Sequence, residues 1–159
     1  MNKLSILFII LSSAVHAQTA SEDEMEIKEL ITSNWEMNNK SKVDVRLMSD
    51  TGHYAFNSTG GMLVHEPNPN QNKSQWDYVR LEPKHIKVIS LAPGKAAIAL
   101  YYCEGSMKPK GSAAVPHYLT RVSETYIKEA GRWAMKTAHY SPITGGSGTT
   151  QIGTRTEDN

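Results

Sequence analysis

The chain has 159 residues, with 17 Lys and Arg against 16 Asp and Glu. A balance this close to neutral argues against a nucleic-acid binder. One cysteine, Cys103, excludes an intramolecular disulfide; it lies in the apolar stretch AAIALYYCEG, where a buried, inert thiol is expected and stability comes from packing.

Met1-Asn2-Lys3, the apolar run Leu4 to Leu11 and the small residues ending at Ala17 have the make-up of a signal peptide cut after Ala17. The apolar run is well short of the roughly 20 residues that span a bilayer. Residues 1–17 are therefore expected to direct export to the periplasm or beyond, leaving no membrane attachment after cleavage. The remainder suits one domain with a single core over 18–142. A flexible tail follows over 143–159, rich in Gly, Ser and Thr.

Ser21 and Glu24 form an S-x-x-E capping box, and acids crowd the turn that follows, where the helix dipole favours them. Ile27, Leu30, Ile31 and Trp35 then recur at three- and four-residue steps, which predicts an amphipathic helix ending near Met37. NNKSK, at 38–42, reads as a polar break, and VDVRLMSD takes no clear assignment. HYAFNSTGGMLVHE predicts two short strands around Thr59-Gly60-Gly61, with Tyr54 and Phe56 on one face. PNPNQNKS is a loop with a mobile tip.

The β pattern strengthens after Lys84. HIKVISL and AAIALYYCEGSM flank Pro93-Gly94 and predict an antiparallel pair. After the loop KPKGSAAVP, HYLTRVSETYIKEA and RWAMKTAHYS flank Gly131 and predict a second long hairpin. One helix followed by an antiparallel sheet is an α+β layout. A sheet that curls round a helix leaves a concave space, the natural place for a small ligand.

Alternation along the last strand puts Trp133, Met135, Thr137, His139 and Ser141 on one face and Ala134, Lys136, Ala138 and Tyr140 on the other, unless a bulge intervenes. His139 and Tyr140 therefore point to opposite sides. On the preceding strand His117 and Arg121 share a face and Glu124 lies opposite. A cation and an imidazole on one face suit a carboxylate or phosphate, and a cross-strand pair of Arg121 with Glu104 or Glu124 is the alternative use of the guanidinium. His53, His65, His85, His117 and His139 are scattered without metal-ligand spacing, so no metal site is expected. G-x-S-x-G, P-loop and dinucleotide motifs are missing, and no cofactor is implied.

A helix with Trp35 in its last turn, then HIKVISLAPGKAAIALYY, then YLTRVSETYIKEAGRWAMKTAHYSP, resembles the nuclear-transport-factor-2-like superfamily over residues 22–142. Within it, the pattern is similar to the SnoaL-like and ketosteroid-isomerase-like exported domains. The resemblance implies a cone-shaped, strongly curved antiparallel sheet wrapped around the N-terminal helix, a pocket between the two, and a homodimer built through the sheet. An isomerase of this kind needs a general base and a donor for the developing oxyanion. Tyr54, Tyr101, Tyr102, Tyr118 and Tyr140 are candidate donors. Asp44, Asp50 and Asp77 sit in polar context, and none matches the family's catalytic aspartate.

Three functions fit this layout. The leading one is an exported domain that binds a small, partly apolar molecule through Trp35, Tyr54, Tyr102, Arg121 and Tyr140. The second is an isomerase or dehydratase with His117 or His139 as base and a tyrosine as donor. The third is a dimeric assembly module in which the pocket is incidental.

Overall fold

The structure, a computed structural model, describes residues 19–42, 48–67 and 76–143. The signal peptide over 1–17, Asp44, the loop tip after Pro67 and the tail from 144 onward lie outside the described residues. Helix α1 (Ala20–Ser41) is followed by strands β1 (His53–Phe56), β2 (Val64–Glu66), β3 (Trp76–Ala92), β4 (Ala96–Pro109), β5 (Val115–Glu129) and β6 (Arg132–Pro142). They form one six-stranded sheet in the order β2-β1-β6-β5-β4-β3. Every pairing is antiparallel except β1 against β6, which is parallel. The sheet curves without closing, and α1 lies along its concave face, as the α+β expectation has it.

The helix starts two residues earlier than its sequence signature suggests. Thr19, not Ser21, is the N-cap: its hydroxyl accepts from the Glu22 N–H at 3.3 Å, and the Glu22 carboxylate accepts from the Thr19 N–H at 2.7 Å. That hydrogen bond holds the Glu22 carboxyl below the usual carboxylate range. The helix also runs past Met37 to Ser41, so the expected break at NNKSK is not one. Asn38 is fully buried. The Asn39 amide donates to the Leu81 carbonyl at 2.7 Å and accepts from the Leu81 N–H at 2.9 Å. Polar residues that would fray an isolated helix thus satisfy the backbone of an edge strand, and that tertiary bond carries the helix a further turn.

Ile27, Ile31 and Trp35 form the buried stripe against the sheet. Asp23 is fully buried as well, and its carboxylate accepts from the Ser90 hydroxyl at 2.7 Å and the Gly94 N–H at 2.9 Å. The first-turn acid is therefore a latch onto the β3–β4 turn as well as a partner for the helix dipole. Trp133, at the start of β6, donates its indole N–H to Glu26 of α1 at 2.8 Å, with the Lys128 ammonium 5.1 Å from its ring. At the same turn of the β5–β6 hairpin, the Glu129 carboxylate accepts from the Asp50 N–H and the Ser49 hydroxyl, both at 2.9 Å. These bonds hold its carboxyl below the usual range and tie down the segment before β1.

Bulges curve the sheet. One in β3 lies between Lys84 and Lys87, one in β5 between Val115 and Tyr118, opposite Gly105 to Met107 of β4, and one in β6 at Lys136, where Tyr126 pairs with Met135 but Thr125 with Thr137. Gly105 sits at φ +143°, and a methyl on it would drive into the Arg80 carbonyl of β3. Gly105→Ala is therefore expected to cost more than about 4 kcal/mol, against about 1 kcal/mol for Gly111→Ala, which meets open space at φ +74°. Chemical denaturation of the two variants checks the difference, and equal losses would refute the close approach.

Candidate functional site

The bulge at Lys136 decides what lines the inside of the sheet. Strict alternation would put His139 on the face of Trp133 and Met135. The extra residue reverses the parity, so Met135, Ala138 and Tyr140 are buried within and Thr137 and His139 are exposed outside. On β5, Tyr118, Thr120, Val122, Glu124 and Tyr126 face inward, and His117 and Arg121 outward. His117 and Arg121 thus share a face opposite Glu124, as alternation predicts.

The interior holds a cavity of about 280 Å³. Its apolar walls include Trp35 from α1, Trp76 and Leu81 from β3, and Met107 and Met135 from β4 and β6. Its polar lining is His53 of β1, Tyr118 of β5, Tyr140 of β6, and Asn57, Ser58, Thr59 and Glu66 of the β1–β2 hairpin. Hydrogen bonds set these side chains. The Trp35 indole donates to the Tyr101 hydroxyl at 3.3 Å, and the Tyr118 hydroxyl donates to Ser58 Oγ at 3.3 Å. The Tyr140 hydroxyl donates to Glu124 Oε1 and the Tyr126 hydroxyl to Glu124 Oε2, each at 2.7 Å. Glu124 is fully buried. A carboxylate held by two phenols fixes the Tyr140 ring at the cavity wall.

Of the residues expected at a pocket, Trp35 and Tyr140 meet in this cavity. Tyr102, Arg121 and His139 instead come together on the outer face, in a recess of about 370 Å³. Tyr54 joins neither group: it is exposed and stacks on His65 across the β1–β2 pair with ring centroids 4.4 Å apart. His117 is exposed near the start of β5 and lines neither space. Arg121 makes neither of its expected cross-strand ion pairs and donates from Nε to Ser141 Oγ at 2.8 Å. Asp77 pairs with Lys108 at the surface at 2.7 Å, which holds its carboxyl below the usual range. Asp50 sits in a turn beside Glu129, so neither aspartate lines the cavity.

Sequence reasoning missed Trp76, His53 and the role of Glu124. The signal for Glu124 is its alternation with Tyr118, Val122 and Tyr126, three residues of evident core type on one face. Among the described residues no group of three or more His, Cys, Asp or Glu side chains is placed to hold a metal ion.

A single N-terminal helix along the concave face of a six-stranded curved sheet is an arrangement found in solved structures. The chain superposes on an NTF2-like protein of unknown function from Pseudomonas putida with a TM-score of 0.55, at 14% identity, covering 86% of this chain and 99% of that one. The fold is NTF2-like. Two further matches share a description. The association domain of C. elegans CaMKII matches with a TM-score of 0.50 at 16% identity, over 76% of this chain and 98% of that one. A domain from Exiguobacterium sibiricum, described as a calcium/calmodulin-dependent kinase II association domain, matches with a TM-score of 0.53 at 12% identity, over 75% and 92%. Identities this low speak for the NTF2-like fold alone. No protein-family model matches the sequence, and no curated protein does.

Replacing Tyr140 by Phe removes one of the two phenol donors to the buried Glu124 carboxylate. The expected loss of stability is about 1–3 kcal/mol, read as a lower thermal midpoint with an unchanged far-ultraviolet dichroism spectrum. An unaltered midpoint would show that the bond contributes nothing net.

Proposed function

We propose that this is an exported small-molecule-binding domain whose ligand occupies the interior cavity between α1 and the curved sheet. The cavity carries the reading: about 280 Å³ walled by two tryptophans and by methionines, with a few directed polar groups from His53, Tyr118 and Tyr140. A recess with apolar walls and convergent polar groups is the usual form of a small-ligand site. Its size suits a compact, partly apolar molecule. The methionines let the wall adjust to the ligand's shape, and the hydroxyls orient it. The alternative as an isomerase or dehydratase would draw its base from His53 or Glu66, since His117 and His139 lie on the outer face.

The test fills the cavity from its own wall. Ala138 is buried and lines it, so Ala138→Leu narrows the space. The chain purified under native conditions is expected to release one small molecule per protomer on denaturation, and the Leu variant to carry none while still melting cooperatively. Where the wild type is empty, a fragment library read by the emission of Trp35 and Trp76 replaces the native ligand. A library with no hit on wild type, or hits that bind Ala138→Leu equally well, would sink the reading.

A second reading, self-association through the sheet, is favoured by the outer surface near the β3–β4 turn. Ile89 and Leu91 there are 41% and 61% exposed, and Ile98 pairs beside Ile89. Exposed apolar side chains in adjacent rows of one sheet are what a partner sheet covers. The two matched domains named for association share this fold. Ile89→Lys is expected to shift the sedimenting mass from dimer toward protomer. A wild-type chain that is already monomeric at high concentration would remove this reading and leave the cavity untouched.

A further inference from the structure

The outer-face recess is built differently from the interior cavity and has no carboxylate among its lining residues. Register brings its parts together in two adjacent rows. Lys84 of β3, Tyr102 of β4, Arg121 of β5 and Ser141 of β6 lie side by side in the first. Lys87, Leu100, Ser123 and His139 lie side by side in the second. The bulge between Lys84 and Lys87 adds His85, whose backbone sits in the left-handed region at φ +54°. A non-glycine residue there stores strain, and such strain gathers at binding sites.

The cations around the recess are not equally committed. Lys84, at the rim, pairs with Glu82 at 2.6 Å and Glu104 at 3.7 Å. Lys87 reaches Glu24 of α1 only at 3.9 Å. The Arg121 guanidinium bonds to Ser141 through Nε, and it makes no ion pair among the described residues. The two imidazoles are positioned by aromatic neighbours: His85 meets the Tyr102 ring edge-on at 6.0 Å, and His139 meets Phe56 at 5.6 Å. Neither ring is hydrogen-bonded within the described residues. One guanidinium, one ammonium and two imidazoles therefore converge on a recess whose floor includes Leu100 and Tyr102.

We propose that this groove binds an oxyanion, a carboxylate or a phosphate monoester carried on a small apolar body. The two terminal amino groups of Arg121 present the planar fork that oxyanions take bidentately. His85 and His139 add N–H donors from two sides, and Lys87 adds charge. Leu100 and Tyr102 cover the apolar body. The site is separate from the interior cavity; its Lys87–Leu100 row borders the Ile89–Ile98 row on the same outer face, so a partner sheet laid over Ile89 would flank it.

Phenyl phosphate and benzoate, titrated separately into the full chain, test it. Amide resonances of Leu100, Tyr102, Ser123 and Ser141 give the readout, with the indole resonances of Trp35 and Trp76 as reporters of the interior. At least one probe is expected to bind with Kd below about 1 mM and to move the groove amides. The tighter probe tells phosphate from carboxylate. Arg121→Gln is expected to weaken that probe about tenfold and His139→Asn several-fold, and Lys110→Gln, which removes an exposed positive charge outside the groove, leaves it unchanged. If Arg121→Gln does not fold, Arg121→Lys keeps the charge without the fork and is expected to show a smaller loss. No saturation by either probe, an equal loss with Lys110→Gln, wild-type binding by both Arg121 variants, or shifts confined to Trp35 and Trp76 would each overturn the proposal.

Discussion

The lie of α1 in the concave face depends on one buried carboxylate. Asp23 is fully buried and accepts from both the Ser90 hydroxyl and the Gly94 N–H at the β3–β4 turn. A buried charge that satisfied costs little in place and much if displaced, so it sets where the helix begins against the sheet. Asn39 repeats the device more than four turns later on the backbone of Leu81. Between the two latches, Ile27, Ile31 and Trp35 have one angular setting in which all three meet the sheet. Hydrophobic burial supplies most of the docking energy, but it is non-directional; the two polar contacts choose among the ways of burying the same stripe.

With the helix so placed, Trp35 is delivered to the cavity wall, where its indole meets Tyr101. The other walls come from the sheet, and their composition depends on a second constraint, the extra residue at Lys136. A period-2 pattern exchanges faces whenever one residue is inserted. Without that bulge Tyr140 would stand outside and the Glu124 carboxylate would lose one of its two phenols. With it, the same strand supplies a core aromatic at Trp133, a cavity hydroxyl at Tyr140 and an outward imidazole at His139. The two faces then acquire different chemistry, sulfur and aromatic surface with a few hydroxyls inside, cations and imidazoles outside.

Much of the fold was legible because its determinants are local. Period-3.6 spacing identifies α1, and Pro93-Gly94 and Gly131 mark the two long hairpins, with Gly94 and Gly131 both at positive φ. The opposed faces of His117 and Arg121 against Glu124 follow from alternation on a strand whose inward face carries no bulge between them. The candidate site was legible only in pieces. Of the seven residues whose type suggests contact with a ligand, Trp35, Tyr102, Arg121, His139 and Tyr140 line a recess, and Tyr54 and His117 do not. Their division between two recesses depends on which face each strand turns inward. Nothing in the one-dimensional pattern marks Lys136 as the inserted residue, because a bulge is fixed by the register with the neighbouring strand.

The sequence by itself determined the elements, their order and the apolar faces they must bury, since propensity, capping and periodicity act over a few residues. It also set the charge balance and the single buried thiol of Cys103. Only the tertiary structure decided where α1 begins and ends, because its cap competes with a second S-x-x-E pattern and its last turn is held by Leu81 of a distant strand. It alone decided the parallel pairing of β1 with β6, the burial of Glu124 between two tyrosines, and the sorting of histidine, arginine and tyrosine between the two faces. Each of these rests on contacts between residues far apart in the chain, and such contacts leave no periodic trace in the order of residues.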